Sequence, residues 1–159
     1  MSNRLVKNSN TSVEELWKRH IKQYPEHVNS KYKHYYFCDN EKCANELAEL
    51  VKNEIKKATA SLLFWYDKGE EVMPEVSDIN IITDWSGMAQ CIIRTVKVTI
   101  LSFKEVTAEM AYKEGEGDRS LEYWKNAHVN FFIRDLKNEN LKFTEDLKIV
   151  FEEFEMIYK

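Results

Sequence analysis

Two hydrophobic periods alternate along this chain, and the points where one replaces the other mark its elements. From Thr11 or Ser12 onward, Val13, Leu16, Trp17, Ile21 and Tyr24 recur at three- and four-residue steps. Glu14 and Glu15 stand in capping-box register with those hydroxyls and Pro25 ends the stripe, so a helix is predicted over 11–25. His20 and His27 are expected on its surface, and the polar residues 1–10 as a flexible tail ahead of it. The aromatic stretch Tyr32, Tyr35, Tyr36 and Phe37 reads as half-buried and irregular. Asp39 or Asn40 can cap a second helix reaching about Lys57, with Cys43, Leu47, Leu50, Val51 and Ile55 on its apolar face. There the helical period stops. Thr59–Tyr66, Asp78–Trp85, Gln90–Phe103 and Ile149–Tyr158 have strand composition. Turn signals at Lys68-Gly69 and at Asp84-Trp85-Ser86-Gly87 separate the first three of them. Two more helices are predicted, near Lys104–Lys113 with Gly115 as its stop, and from Ser120 to about Lys137.

Two helices, three strands, two helices and a strand do not make a regular βαβ alternation. The order predicts an α+β fold, with one curved, mainly antiparallel sheet and helices packed on its ends. A length of 159 residues and a hydrophobic content of 43% suit a single domain over 11–159 with a real core. The net charge of −4 lacks the basic excess of a protein that grips duplexes through their phosphates, which leaves recognition in a pocket or local patch. Cys38, Cys43 and Cys91 lack zinc-type spacing and are read as free thiols of a reducing cytosol. The polar N-terminus has no signal-peptide core and no apolar run spans a bilayer, so a cytoplasmic location without membrane contact is expected.

Two segments carry more than periodicity. One is Lys56-Lys57-Ala58-Thr59-Ala60-Ser61-Leu62, and the other is Glu114-Gly115-Glu116-Gly117-Asp118-Arg119-Ser120-Leu121-Glu122-Tyr123-Trp124. In this order they resemble the ASCH (activating signal cointegrator homology) domain, and within it the bacterial stand-alone branch marked by the string EGEGDRSLEYW. The resemblance extends over about residues 35–158, with the helix at 11–25 as an addition. It implies a PUA-like β-barrel, mixed or antiparallel, with flanking helices and a cleft between barrel and helices. Against the family motif GxKxxTxR, Lys56 and Thr59 keep the Lys and the Thr, while Glu54 replaces the Gly and Ser61 the Arg. The loss of that Arg weakens the case for bidentate phosphate or carboxylate binding at this spot. The family includes proteins proposed to bind RNA, small amidohydrolases acting on acetylated cytidine, and some ribonucleases. In the amidohydrolases a Lys, a Thr and a Glu form the catalytic constellation, and the matching positions are Lys56, Thr59 and Glu116.

The chemistry is coherent. A Thr hydroxyl attacks once a base takes its proton, and a lysine desolvated in a cleft can have a pKa low enough to be that base. A carboxylate can orient the lysine or pass the proton to a leaving amine. Plainer readings stand beside this one. Lys56 closes a helix, where the dipole favours a cation, and Thr59 opens a strand, where β-branched residues are expected. In the acidic loop, Gly115 can end one helix and Asp118 can cap the next, and Lys125 at the twelfth position excludes a calcium loop. Capping leaves Glu114 and Glu116 unexplained, which assigns them to a polar cleft wall.

Ser61, Trp65, Glu114, Arg119 and Asp84 complete the set of candidate ligand contacts. Trp65, Tyr66 and Trp85 can stack on a base or pack as strand aromatics. Asp84 begins a turn, Arg119 can meet an anion or pair with Glu122, and His128 packs with Trp124 and Phe131. The expectation is a cleft that needs no metal or other cofactor and faces a small nucleoside, a nucleotide or short single-stranded RNA. It either hydrolyses an amide on an N-acylated nucleoside or binds without catalysis, with ribonuclease activity a third reading. Lys52, Lys56 and Lys57 are balanced by Glu54, Glu114 and Glu116, which suits a small neutral ligand better than a polyanion. Monomer and homodimer are both compatible with the sequence.

Overall fold

In the computed structural model, Arg4–Leu5 are described as backbone and residues 11–159 in full. The rest of the expected tail lies outside the described residues. In chain order the elements are β1 (Arg4–Leu5), α1 (Thr11–Gln23), β2 (Tyr32–Tyr36), α2 (Glu41–Lys52), β3 (Ala58–Leu62), α3 (Leu63–Asp67), β4 (Ile79–Thr83), β5 (Ala89–Ser102), α4 (Ala108–Glu114), α5 (Leu121–Asp135) and β6 (Lys148–Tyr158). The strands form one sheet in the order β1-β2-β4-β5-β6-β3. It curls into a half-barrel and, with the helices, makes the α+β fold expected from the sequence. The sheet is mixed because β2 runs parallel to β4, whereas the other pairs are antiparallel. Tyr32–Tyr36 is thus a regular strand, not the irregular stretch that its aromatic run suggested.

Three local departures position the site. The second helix ends at Lys52, well short of Lys57, because Glu54 adopts a left-handed backbone (φ 57°) and the amides of Ile55 and Lys56 both turn back to the Leu50 carbonyl. Lys56 therefore sits in a loop, and no helix dipole accounts for it. The predicted strand 59–66 stops at Leu62, and Trp65 and Tyr66 lie on the short α3, since a brief apolar run does not distinguish the two periods. Gly115 closes α4 as expected with φ 73°, and a side chain there would put its Cβ 2.5 Å from the Ile55 carbonyl oxygen. The turn after α4 thereby lies directly on the turn after α2. Ser120, not Asp118, caps α5: its hydroxyl accepts the Tyr123 amide, while Asp118 accepts the Ser120 amide in the preceding turn.

The main core fills the half-barrel between α2, α5 and the strands, with Phe37, Val51, Ile93, Phe103, Trp124 and Phe151 among its members. A smaller cluster packs Val13, Leu16 and Trp17 of α1 against Ile79, Ile81 and Ile92 on β4 and β5. His20 belongs with the latter. It is fully buried, bonds to His27 at 2.8 Å and contacts the rings of Trp17, Tyr24 and Tyr158, so the surface position expected for it is wrong. The free-thiol reading also fails for two cysteines. Cys38, at positive φ, and Cys43, in the first turn of α2, are joined in a disulfide with Cα atoms 6.0 Å apart, a separation that a disulfide spans readily. Cys91 stays a free, buried thiol, its pKa pushed up to about 12 by burial. Among the described residues no helix is long and apolar enough to cross a membrane.

Candidate functional site

Where the two turns meet, three charged side chains converge inside the protein. The Lys56 ammonium donates to Glu114 Oε2 at 3.0 Å and to Glu116 Oε1 at 2.7 Å. The Lys56 and Glu114 side chains are fully buried and Glu116 keeps 8% exposure. Burial alone would lower the lysine pKa, but the charges of Glu116 and Glu114 and their hydrogen bonds outweigh it and leave the pKa raised. Lys56 therefore rests as an ammonium. The desolvated, low-pKa lysine base expected from the sequence is not the state of this group.

The two carboxyls differ. Glu114 ends α4 and has both oxygens engaged, Oε2 by Lys56 and Oε1 by the Trp124 indole N–H at 2.8 Å. Behind it, the His128 ring stacks on Trp124 with centroids 4.0 Å apart. A carbonyl can only accept, so His128 Nδ1 carries the proton that it donates to the Trp124 carbonyl. Burial lowers the His128 pKa to about 3, which keeps the ring neutral. Its Nε2 lies 3.5 Å from Glu114 Oε1 without a hydrogen bond. His128 is thus a packing histidine with one ring nitrogen unsatisfied. Glu116 follows Gly115 in the turn and is the member of the trio that keeps the most exposure.

Beneath Lys56 lies the Phe37 ring, 5.2 Å from the ammonium, and Phe37 stacks on Phe154 of β6. Thr59 and Ser61 are buried on β3. The Thr59 hydroxyl has no hydrogen-bond partner, and that of Ser61 bonds to Tyr66 at 2.7 Å. The side chains of the remaining candidates are engaged elsewhere, although the Arg119 amide donates to the Glu116 carbonyl at 2.9 Å. The Trp65 indole donates to Asp135 at 2.6 Å and so ties α3 to α5. Asp84 accepts from Ser86, the Met88 amide and Gln90, which makes it a turn residue. Arg119, at φ 63°, packs over the Tyr112 ring and bonds to its hydroxyl at 3.1 Å. Among the described residues no group of three His, Cys, Asp or Glu is arranged to hold a metal ion.

Sequence reasoning missed Glu152 and Tyr35. Glu152 is the cross-strand partner of Thr59, is buried, and accepts from the Thr95 hydroxyl at 2.5 Å. Its signal was present: with Val150 and Phe154 two residues to either side, the strand period puts a carboxyl on an apolar face. Tyr35 looked like one aromatic among several.

The chain matches the ASCH domain over residues 33–158. It is 30% identical to the ASCH domain from Lactobacillus crispatus JV V101, whose crystal structure superposes with a TM-score of 0.89 over 98% of this chain and 100% of that one. Protein EF3133 from Enterococcus faecalis V583 is also 30% identical, with a TM-score of 0.81 over 92% of this chain and 88% of its own. No curated protein is significantly similar to the chain.

Proposed function

Because this chain belongs to the ASCH domain family, we propose that it hydrolyses an amide on an N-acylated nucleoside of the acetylated-cytidine kind, at the centre formed by Lys56, Glu116 and Thr59. The observation that carries this reading is a fully buried ammonium held by two carboxyls. Such a group is a poor brace, since apolar residues of similar volume stabilise a fold as well or better. Glu114 in addition sits at the C-terminus of a helix, where the dipole disfavours negative charge. Buried charge with a perturbed pKa, set beside a slightly open carboxylate, is the usual mark of a working site.

Lys56 acts as the electrostatic partner, and Glu116 is the base. Glu116 takes the proton of Thr59 as Oγ1 bonds to the acyl carbon, and the oxyanion forms near the Lys56 ammonium. When the tetrahedral species collapses, the C–N bond breaks and Glu116 returns the proton to the departing nitrogen. Water, deprotonated by Glu116, then attacks the Thr59 ester; the acyl C–Oγ1 bond breaks, Glu116 returns the proton to Oγ1, and the carboxylic acid leaves. Glu114, with both oxygens engaged, holds Lys56 in position.

One observation favours a binding module instead: the Thr59 hydroxyl has no hydrogen bond, so no base stands on it in the resting protein. The deciding experiment is hydrolysis of N4-acetylcytidine by wild type and Glu116→Gln, with a chelator present to exclude metalloenzyme contaminants. The amide keeps an oxygen for Lys56 but cannot act as a base, so turnover should fall by about 100-fold or more. Equal turnover in the two proteins dismisses the mechanism. Binding without turnover in wild type moves the protein to the module class.

A further inference from the structure

We propose that a buried polar patch on the sheet beside this centre, formed by Tyr35, Thr59 and Glu152, is a recognition site for the polar edge of an uncharged nitrogen heterocycle. The inference deepens the nucleoside reading and rests on it. It adds where the base is held and by which groups.

Strand register brings two of these residues together. Thr59 on β3 lies directly opposite Glu152 on β6, so their side chains share a face about 5 Å apart at Cβ. Tyr35 comes from β2, on the far side of the sheet order, and the curl carries it across. Its ring meets Phe37 edge-on at 5.5 Å, and Phe37 stacks on Phe154, two residues along β6 from Glu152. Burial, and after it the nearby Glu152 carboxyl, pushes the Tyr35 hydroxyl far above its ordinary pKa, so it remains a neutral donor and acceptor.

The hydrogen-bond inventory of this face does not close. Tyr35 is 3% exposed and Thr59 2%, yet neither hydroxyl has a partner. Buried hydroxyls in a finished core are almost always bonded, and leaving one unmet is costly. Ser61 and Tyr66 satisfy each other on the same side, and Thr95 satisfies one oxygen of Glu152. The two unmet hydroxyls therefore belong to a surface whose partner arrives from outside the chain.

The chemistry of that partner follows from what is present. A carboxyl and two hydroxyls without a bonded cation repel phosphate and carboxylate. They suit a neutral edge that offers adjacent N–H donors and lone-pair acceptors, as a nucleobase does. Thr59 joins the two sites: Lys56 lies three residues before it and Glu152 opposite it. A base seated on Glu152 and Tyr35 would present its exocyclic amide at Thr59, beside the Lys56–Glu116 pair.

The test is calorimetric titration of cytidine into wild type and Tyr35→Phe, with thermal unfolding of both. Phe keeps the ring and removes a hydroxyl that has no partner, so stability should be unchanged or higher while the affinity for cytidine falls about tenfold. A Tyr35 that serves only packing would leave cytidine binding unchanged, and that result overturns the site. Glu152→Leu is the second variant. It should abolish cytidine binding, and retained binding would again overturn the proposal. Hydrolysis of N4-acetylcytidine is measured in parallel. Binding lost in Tyr35→Phe with no wild-type turnover sustains this site and removes the hydrolase reading. Turnover that survives with unchanged affinity does the reverse, and a wild type that binds no cytidine overturns the site.

Discussion

Of the three groups among the described residues that join one lysine to two glutamates, those of Lys56 and Lys113 stand side by side in space and are almost identical in geometry, while Lys68 with Glu70 and Glu139 forms the third. Lys56 meets Glu116 at 2.7 Å and Glu114 at 3.0 Å; Lys113 meets Glu153 at 2.9 Å and Glu109 at 3.1 Å. They adjoin through the backbone, where the Lys57 amide donates to the Lys113 carbonyl at 2.8 Å. Both lysines have raised pKa values, but for different reasons. For Lys56 the largest single influence is burial, which opposes the charge and is overcome by the two carboxyls. For Lys113 hydrogen bonds to Glu153 and Glu109 lead, with little burial against them. The Lys113 side chain is 36% exposed and Glu109 79%, against none for Lys56 and Glu114. Distances alone would rank the two groups together. What separates them is the solvent each has lost, and only the buried group is arranged at a cost that stability does not explain.

The largest effect should come from breaking the buried group. Lys56→Ala leaves two carboxyls without their cation inside the protein, and unfolding in urea should show a loss of about 3–5 kcal/mol. A loss no larger than that of a surface pair would mean that water reaches the centre, and the contrast between the two groups would collapse. The same consideration makes Glu116→Gln a better probe of chemistry than any removal of the lysine. Trp124→Phe comes next. It deletes the indole N–H on Glu114 while keeping an aromatic ring beside His128 and Phe103. A buried carboxyl oxygen left without that donor should cost about 1–3 kcal/mol. An unchanged urea midpoint would show that Glu114 is not held from behind.

That contrast explains how far the sequence could be read. Amphipathic stripes at Val13–Tyr24 and Cys43–Val51, and strand composition at 78–85, 90–103 and 149–158, predicted elements that the structure contains, because one buried face leaves a period in the residues. Lys56, Glu114 and Glu116 were legible as a set only through the family-like strings, since nothing in local patterning separates them from Lys113 and Glu109. Their meeting depends on two backbone turns, at Glu54 and Gly115, that follow tertiary packing. The parallel β2–β4 pairing was hidden for a similar reason, as was the burial of His20. Both are set by partners distant in sequence. Glu152 is the instructive omission. A carboxyl at an inward position between Val150 and Phe154 broke the pattern of its own strand, and such a break is information about function as much as a flaw in the strand.

Glu152 also gives the comparison an intermediate case, a buried carboxyl held by a hydroxyl instead of an ammonium. Burial raises its pKa above the ordinary 4.5, and the bond from Thr95 opposes this only in part. A folded-state pKa that is raised contributes stability fully present below 4.5 and lost as pH rises through the folded value. Wild type should therefore lose stability between pH 4.5 and neutrality relative to Glu152→Gln, which has no proton to release. Urea midpoints measured across that range should diverge as pH rises. Parallel curves would mean that the carboxyl is as well solvated as one at the surface.

The smallest effect is expected at the exposed group. Lys113→Ala removes bonds as short as those of Lys56, yet Glu109 returns to water and Glu153 keeps Lys97 nearby at 3.6 Å. The cost should be about 1 kcal/mol or less. It should shrink further in roughly 1 M salt, where the screening length falls to about 3 Å. The Lys56→Ala penalty should persist in the same salt, because ions do not enter a centre with no exposed lysine surface. Salt dependence is thus the most direct way to separate the two groups. If both penalties fell together, the Lys56 centre would be an ordinary surface ion pair, and the argument for a site built at the expense of stability would fail with it.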